Sequence, residues 1–371
     1  MDIRENILPV LGPKSGPEEI KAITDVLESG WWGKGAKVNE FEIEFAKTVG
    51  AKYAVAVTSN THGLDLIFKA LEISNVDIIN PAISFLTTAI VPVWNNCTSN
   101  IVDVERDTLC IDPEDVKQNL RKNTKAIIAV NMAGVPAKIN EIRKFYDGLI
   151  IEDCAHSCYT PGAGKLGNVA VWSFQAVKTL ACGDGGMITT DDESLYNKLK
   201  KMTWLGISST FDRVKSGRMG PDGKQLPGYA WDYKVDIVGY KCYMIDLMAA
   251  ICLEQLKKLP AMLEHRRAIQ SYYNANLHPM VVRPYYTDTV QYYCARVPAE
   301  QRDKLIDYLA DKKIHTSVHF KPLYKYEVVK QDRLYPVSDV EWLKLISLPV
   351  HNRMSMEDAE YVVYWVNKFF E

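Results

Sequence analysis

A chain of 371 residues, 47% hydrophobic and 24% charged, has the composition of an ordinary soluble globular protein, is too long for a small disulfide scaffold, and predicts two domains. Its formal net charge of -2 leaves no basic footprint for nucleic acid and no acidic tail, so an anionic ligand must be met by a local pocket and the expected partner is a small molecule. The opening Met1-Asp2-Ile3-Arg4-Glu5-Asn6 lacks the basic start and apolar core of a signal peptide, and no apolar stretch approaches the ~18 residues of a membrane span, which predicts a cytoplasmic protein with no membrane partner.

In chain order, Pro17-Glu18-Glu19 opens a helix with proline in the first turn and acids at its positive end; Ile20, Ile23, Val26 and Leu27 form its apolar stripe up to Gly30. After the loop Gly30-Trp31-Trp32-Gly33-Lys34-Gly35, strands and helices alternate. Strands are predicted over Tyr53 to Thr58, Val76 to Asn80, Ile101 to Val104, Lys125 to Asn131, Leu149 to Asp153, Val169 to Phe174 and Met187 to Thr190. Helices are predicted over Thr61 to Ile73, from Asp112-Pro113, and over Lys138 to Asp147. This alternation calls for an α/β fold with a largely parallel sheet covered on both faces and ligands at the carboxyl ends of its strands, where Asp153 and Ser173 fall.

Residues Ile207 to Val235 break the pattern as a long Gly-, Ser-, Lys- and Arg-rich loop. Met244, Leu247, Met248, Ile251 and Leu256 then recur at helical spacing, in a helix expected to bend or stop near Pro260. A smaller α+β domain follows, with strands over Val290 to Val297 and Thr316 to Phe320 and helices over Pro298 to Asp311 and Met356 to Phe370. The domains are placed at 1–250 and 251–371. The eight cysteines contain no CxxC pair and sit among apolar neighbours, so reduced thiols and no zinc are expected. His315 and His319, on a strand, would stand about 13 Å apart, too far to share a metal ion.

The chemistry centres on Ser173-Phe174-Gln175-Ala176-Val177-Lys178, which runs into Gly183-Asp184-Gly185-Gly186. A lysine fixed in a loop can form a Schiff base with an aldehyde cofactor, and Asp153 at the end of a neighbouring strand can keep a pyridine nitrogen protonated. That pair points to pyridoxal phosphate. Thr58-Ser59-Asn60-Thr61-His62-Gly63 places hydroxyls and free amides at a helix amino terminus, an anion site. Phe85 sits in a loop where an aromatic can stack on a flat heterocycle, and His156, three residues past Asp153, is in reach of a ring oxygen. Gly162-Ala163-Gly164-Lys165-Leu166-Gly167 imitates a phosphate loop but lacks the Mg²⁺-binding hydroxyl and the leading glycine, and no GxGxxG opens the first βα unit.

In this order the motifs resemble the DegT/DnrJ/EryC1/StrS family of sugar aminotransferases, of the aspartate-aminotransferase fold (pyridoxal phosphate fold type I). The resemblance rests on Glu28 to Gly35, Phe41 to Ala46, Ser59 to Leu64, Ile151 to His156, Ser173 to Lys178 with Gly183 to Gly186, Gly239 to Met244, Val318 to Leu323 and Ser347 to His351. It implies that Lys178 carries the Schiff base, Asp153 pairs with the pyridine nitrogen, Phe85 stacks on the ring and His156 stands beside the ring hydroxyl. Thr61, the His62 amide and Ser173 would hold the cofactor phosphate, joined by Lys241 from a neighbouring subunit, which implies a homodimer with shared sites. Asn60 departs from the usual glycine and Cys242 from the usual tyrosine. Because a dehydrating branch of the family replaces the lysine with histidine, Lys178 favours amino transfer.

The resemblance further implies glutamate as amino donor, pyridoxamine 5'-phosphate as the intermediate cofactor form, and a nucleotide-diphosphate keto sugar as acceptor. Amination at C4 of a 4-keto-6-deoxyhexose is expected, with C3 amination of a 3-keto sugar or a catalytically silent sugar-binding member as alternatives. Desolvation or a nearby cation, with Lys34 and Lys241 as candidates, would lower the Lys178 pKa; Trp32, Lys34, Arg213, Lys215, Arg218, His319 and Lys321 are candidates for the substrate.

Overall fold

The computed structural model describes residues 1–207 and 235–371. Helices α1 (Pro17–Glu28) and α2 (Ala36–Val49) lead into β1 (Tyr53–Val57), α3 (Asn60–Ala70), β2 (Asp77–Pro81), α4 (Thr87–Trp94) and β3 (Thr98–Val102). They are followed by α5 (Pro113–Asn119), β4 (Thr124–Val130), α6 (Ile139–Arg143), β5 (Leu149–Asp153), β6 (Val169–Ser173), β7 (Gly186–Thr190) and α7 (Glu193–Met202). The seven strands form one sheet in the order β1-β7-β6-β5-β4-β2-β3. All its pairings are parallel except the two made by β7. The segment from Ser173 to Gly186 is too short for a helical crossover, so the chain folds straight back and β7 runs antiparallel.

Both faces of the sheet are covered, and the strand sequences show why. In β1, Val55 and Val57 pack with Leu64, Ile67, Val171 and Ile188 on one side, while Ala54 and Ala56 pack with Phe41, Phe45, Trp172 and Met187 on the other. Helix α3 lies close to the sheet because residue 63 is glycine: a Cβ there would come within 2.9 Å of Val171 and 3.2 Å of Val57. All eight cysteines are buried free thiols.

The phosphate-loop imitation has an anion of its own. Glu152 is 1% exposed, and its carboxylate accepts from the amides of Gly164 (2.9 Å), Leu166 (2.6 Å) and Gly167 (2.6 Å). These donors are satisfied inside the protein.

Helix α8 (Asp246–Asn276) continues through Pro260, so of the expected bend or stop, the stop does not occur. Leu259, Met262 and Leu263 keep its buried stripe in register around the proline, and packing outweighs the lost backbone bond. Its first half packs on the sheet; Ile269, Tyr273 and Leu277 in its second half join the C-terminal core. That core holds β8 (Tyr293–Arg296), α9 (Ala299–Asp311), β9 (Leu345–Leu348) and α11 (Met356–Phe370), with the short α10 (Ser338–Glu341) preceding β9 outside it. β8 pairs antiparallel with β9, and Leu8 from the amino terminus joins the same core, bridging Ile314.

The predicted strand Thr316 to Phe320 does not form. Ser317 makes a single bridge to Ser347 at the β9 edge, after which the chain leaves the ladder and His319 turns inward. Among the described residues, no helix is long and apolar enough to cross a membrane.

Candidate active site

Lys178 sits at the tip of the connection between β6 and β7. The base of this loop is laced by backbone bonds from Phe174 to Gly185 O (2.8 Å), Ala176 to Gly183 O (2.9 Å) and Cys182 to Phe174 O (2.9 Å). The residues flanking the lysine are held from the C-terminal elements. Gln291 accepts from the Thr179 amide (3.1 Å) and hydroxyl (3.0 Å) through Oε1 and donates from Nε2 to Val177 O (2.9 Å). Lys178 is partly exposed as a residue, but its amine is enclosed, and this desolvation lowers its pKa to about 8, opposed by the charge of Asp153.

Asp153, the last residue of β5, is 5% exposed. Burial raises its pKa; the Ala155 amide (3.0 Å), the Asn60 side-chain amide (3.0 Å) and the charge of Lys178 oppose that rise and favour the carboxylate. Burial, and secondarily the nearness of Lys178 and His319, holds the His156 imidazole well below its usual range, so it is neutral. Its Nε2 lies 3.4 Å from the Tyr292 hydroxyl, while its Nδ1 is fully buried with no hydrogen-bond partner among the described residues. The same hydroxyl receives a 3.5 Å contact from Lys178 Nζ. The Tyr292 ring stacks on His319 at 3.9 Å between centroids, and His319 Nδ1 meets Ser347 Oγ at 2.7 Å. Desolvation lowers the His319 pKa to about 3, so this ring is also neutral.

Phe85 lies at the edge of the cluster. It is 60% exposed and 6.1 Å from the Phe320 ring, which in turn lies 6.0 Å from His156.

The second half of the site is the amino end of α3. Ser59 caps this helix, accepting from the His62 amide at 3.1 Å; Thr61 Oγ1 meets Thr87 Oγ1 at 2.8 Å. Ser173 is brought beside this end through its pairing with Gly186. A Cβ on residue 186 would stand 2.5 Å from the Ser59 carbonyl carbon and 2.6 Å from Asn60 N, so glycine lets strand and helix end touch.

The structure thus gathers Lys178, Asp153, His156 and His319, and sets Thr61, His62 and Ser173 around a helix terminus, with Phe85 alongside. Trp32 and Lys34 stand apart on the loop between α1 and α2. The Trp32 indole donates to Leu27 O (3.1 Å), and Lys34 reaches Thr203 Oγ1 (3.4 Å). Desolvation lowers the Lys34 pKa to about 8, assisted by Lys200. Lys241 is exposed, and Lys321 lies over the Tyr326 ring at 4.7 Å. Of the two expected causes, desolvation and a nearby cation, desolvation of the amine is the one that acts within this chain; neither Lys34 nor Lys241 of the same chain contributes. Arg213, Lys215 and Arg218 lie outside the described residues.

Sequence reasoning missed Tyr292 and Gln291. Both belong to a segment read only as strand, more than a hundred residues from Lys178, which Tyr292 meets, and from Val177 and Thr179, which Gln291 holds, and nothing local marked them. Asn60 stood out only as a departure from glycine; its contact with Asp153 explains it.

No ligand is present, but the residues fit the cofactor they imply. An enclosed lysine, a buried carboxylate, an unpartnered ring nitrogen and a helix amino end meet one another, as a phosphorylated pyridine aldehyde requires.

Sheet and lysine loop together define an aminotransferase of fold type I. The chain belongs to the DegT/DnrJ/EryC1/StrS aminotransferase family, whose model matches residues 13–367. It is 34% identical to the spore coat polysaccharide biosynthesis protein SpsC of Bacillus subtilis, over an alignment covering 97% of this chain and 96% of SpsC. Among solved structures it resembles the PMP form of Spr1654 from Streptococcus pneumoniae, with 26% identity and a TM-score of 0.88 over 97% of this chain and 98% of that one. It likewise resembles the sugar aminotransferase CalS13 from Micromonospora echinospora, at 26% identity and a TM-score of 0.85, covering 98% and 100% of the two chains.

Proposed function

We propose that this aminotransferase uses pyridoxal 5'-phosphate to move an amino group from glutamate to a nucleotide-linked keto sugar, at C4 of a 4-keto-6-deoxyhexose. The observation that carries the reading is the enclosed Lys178 amine, with its pKa near 8, beside the buried carboxylate of Asp153. The cofactor reading is supported by Spr1654, solved in PLP and PMP forms, and the sugar acceptor by CalS13.

Lys178 would carry the cofactor and Asp153 would face its ring nitrogen; His156 and Phe85 would flank the ring, and Thr61, the His62 amide and Ser173 would take its phosphate. When bound, pyridoxal phosphate supplies an electrophilic carbon for amines and a ring that accepts an electron pair. The chain's part is proton handling and orientation. A lysine with a pKa near 8 is substantially neutral at mildly alkaline pH, so Nζ can take the proton from the glutamate Cα and return one to the sugar carbon in the second half-reaction. Asp153, whose pKa burial raises while Ala155, Asn60 and Lys178 favour the carboxylate, would support a positive charge on the ring nitrogen. His319, neutral and held by Ser347, offers its other ring edge to substrate.

The Lys241 side chain is exposed, which suits a residue offered to the phosphate of a second copy. A homodimer with shared sites follows from that assignment.

The test gives purified protein pyridoxal phosphate, then glutamate, then a panel of nucleotide keto sugars. Visible absorbance should fall on adding glutamate, and NMR should find the new amine at C4. An amine at C3 overturns the regiochemistry, while persistent colour with no aminated product overturns the activity.

A further inference from the structure

We propose that the Tyr292 hydroxyl fixes the tautomer of His156, so that Nδ1 carries the imidazole proton and faces the site as a hydrogen-bond donor.

The argument counts protons. Lys178 Nζ has only hydrogens to offer Tyr292 in its charged form, so at the 3.5 Å contact the tyrosine oxygen is the acceptor. Gln291 also meets this oxygen in the sense that favours its ionised form, as a donor does, so both lone pairs are taken and the hydroxyl has one hydrogen left to give, with His156 Nε2 3.4 Å away. A ring nitrogen that accepts is unprotonated. His156 is neutral, being buried and next to Lys178 and His319, so its single proton resides on Nδ1. Both contacts are long, as catalytic hydrogen bonds often are before a ligand tightens them.

The consequence falls on the atom that lacks a partner. His156 Nδ1 is fully buried and meets no acceptor among the described residues. A buried N–H left unpaired is costly and points to a missing ligand atom. Tyr292 is suited to directing it, being 4% exposed and clamped on its face by His319, which is anchored to Ser347. The other charged or titratable groups facing the tyrosine are Asp153, Arg266 and Cys294. Arg266 is occupied by the carbonyls of Val290 and Val350 and by the Asn352 side chain. Cys294 is engaged with Ser347.

The ligand class is an anionic or carbonyl oxygen on a flat ring. Its identification with the ring oxygen of pyridoxal phosphate rests on the function proposed above, whereas the tautomer does not. Tyr292 acts through His156 and is a positioning residue.

The test is made on the cofactor-free full-length chain labelled with ¹⁵N-histidine. Long-range ¹H–¹⁵N correlation distinguishes Nδ1–H from Nε2–H, and His156→Gln assigns the signal. Wild-type protein should show His156 as Nδ1–H. Tyr292→Phe, checked for an unchanged fold by circular dichroism, should move the tautomer ratio about tenfold toward Nε2–H, the scale of one lost hydrogen bond. An Nε2–H signal in wild-type protein overturns the proposal whether or not the variant folds, and so does an unchanged ratio in a folded Tyr292→Phe. Because no cofactor is added, these outcomes are independent of the glutamate experiment above.

Discussion

Asn60, the first residue of α3, donates its side-chain amide to Asp153 at the end of β5, with Nδ2 3.0 Å from Oδ1. One contact thereby ties the helix end that would meet a phosphate to the carboxylate that would meet a ring nitrogen. Since burial already pushes the Asp153 pKa up, removing one of its two donors pushes it further. Asn60→Ala should lower kcat/KM roughly tenfold, the scale of a hydrogen bond to a charged group. The loss should deepen toward acid pH as Asp153 protonates, and steady-state profiles of the two proteins check it. Parallel profiles would contradict the coupling.

Lys178 has a folded pKa of about 8 against an ordinary 10.5. Between these values the unfolded chain binds more protons, so the cofactor-free protein should gain stability from this group as pH rises from about 8 toward 10.5, and should bear its cost in full below that window. Lys178→Met should therefore be the more stable protein at neutral pH, by about 2 kcal/mol after discounting for the residue's partial exposure. The advantage should shrink through the alkaline window. Urea midpoints of cofactor-free wild type and variant across pH measure it.

Gly186 allows β7 to touch the Ser59–Asn60 backbone, and a methyl group there would stand 2.5 Å from the Ser59 carbonyl carbon. Gly186→Ala should displace the amino end of α3 and weaken cofactor retention by tenfold or more, roughly the loss of one charge-assisted hydrogen bond. Equilibrium dialysis against pyridoxal phosphate measures this, with the circular dichroism spectrum expected to stay native.

Shared sites predict complementation. Lys178→Ala and Lys241→Ala homodimers should each be nearly inactive. In a mixed dimer one site carries both defects and the other carries neither. Unfolding and refolding an equal mixture should therefore restore roughly a quarter of wild-type activity, since half the dimers are mixed and each has one intact site. Absence of recovery would remove Lys241 from the partner's site.

Much of the sheet and the lysine's neighbourhood was legible in the chain, for reasons that differ by element. Leu149–Asp153 is an uninterrupted apolar run capped by acids, and the strand forms over those same residues. Ser173 and Lys178 were locatable because the polar ending of β6 and the glycines after the lysine mark a strand and a tight return. What stayed hidden depends on contacts distant in sequence. Tyr292 and Gln291 reach Lys178 and its neighbours only through the packing of the C-terminal elements on the sheet. Pro260 looked like a helix stop because the loss of a backbone bond is local, whereas the compensating stripe of Leu259, Met262 and Leu263 is tertiary. The alternation Thr316 to Phe320 imitated a strand although only Ser317 pairs.

The Gln291 side chain straddles Lys178, bonded to Val177 on one side and Thr179 on the other. Rocking the C-terminal elements about the sheet would pull on the reactive amine's own backbone. Gate-like opening at this seam and a steady reach for the lysine would therefore be in mechanical conflict, and the bulky acceptor of the proposed function would need a route that leaves the Gln291 clasp shut.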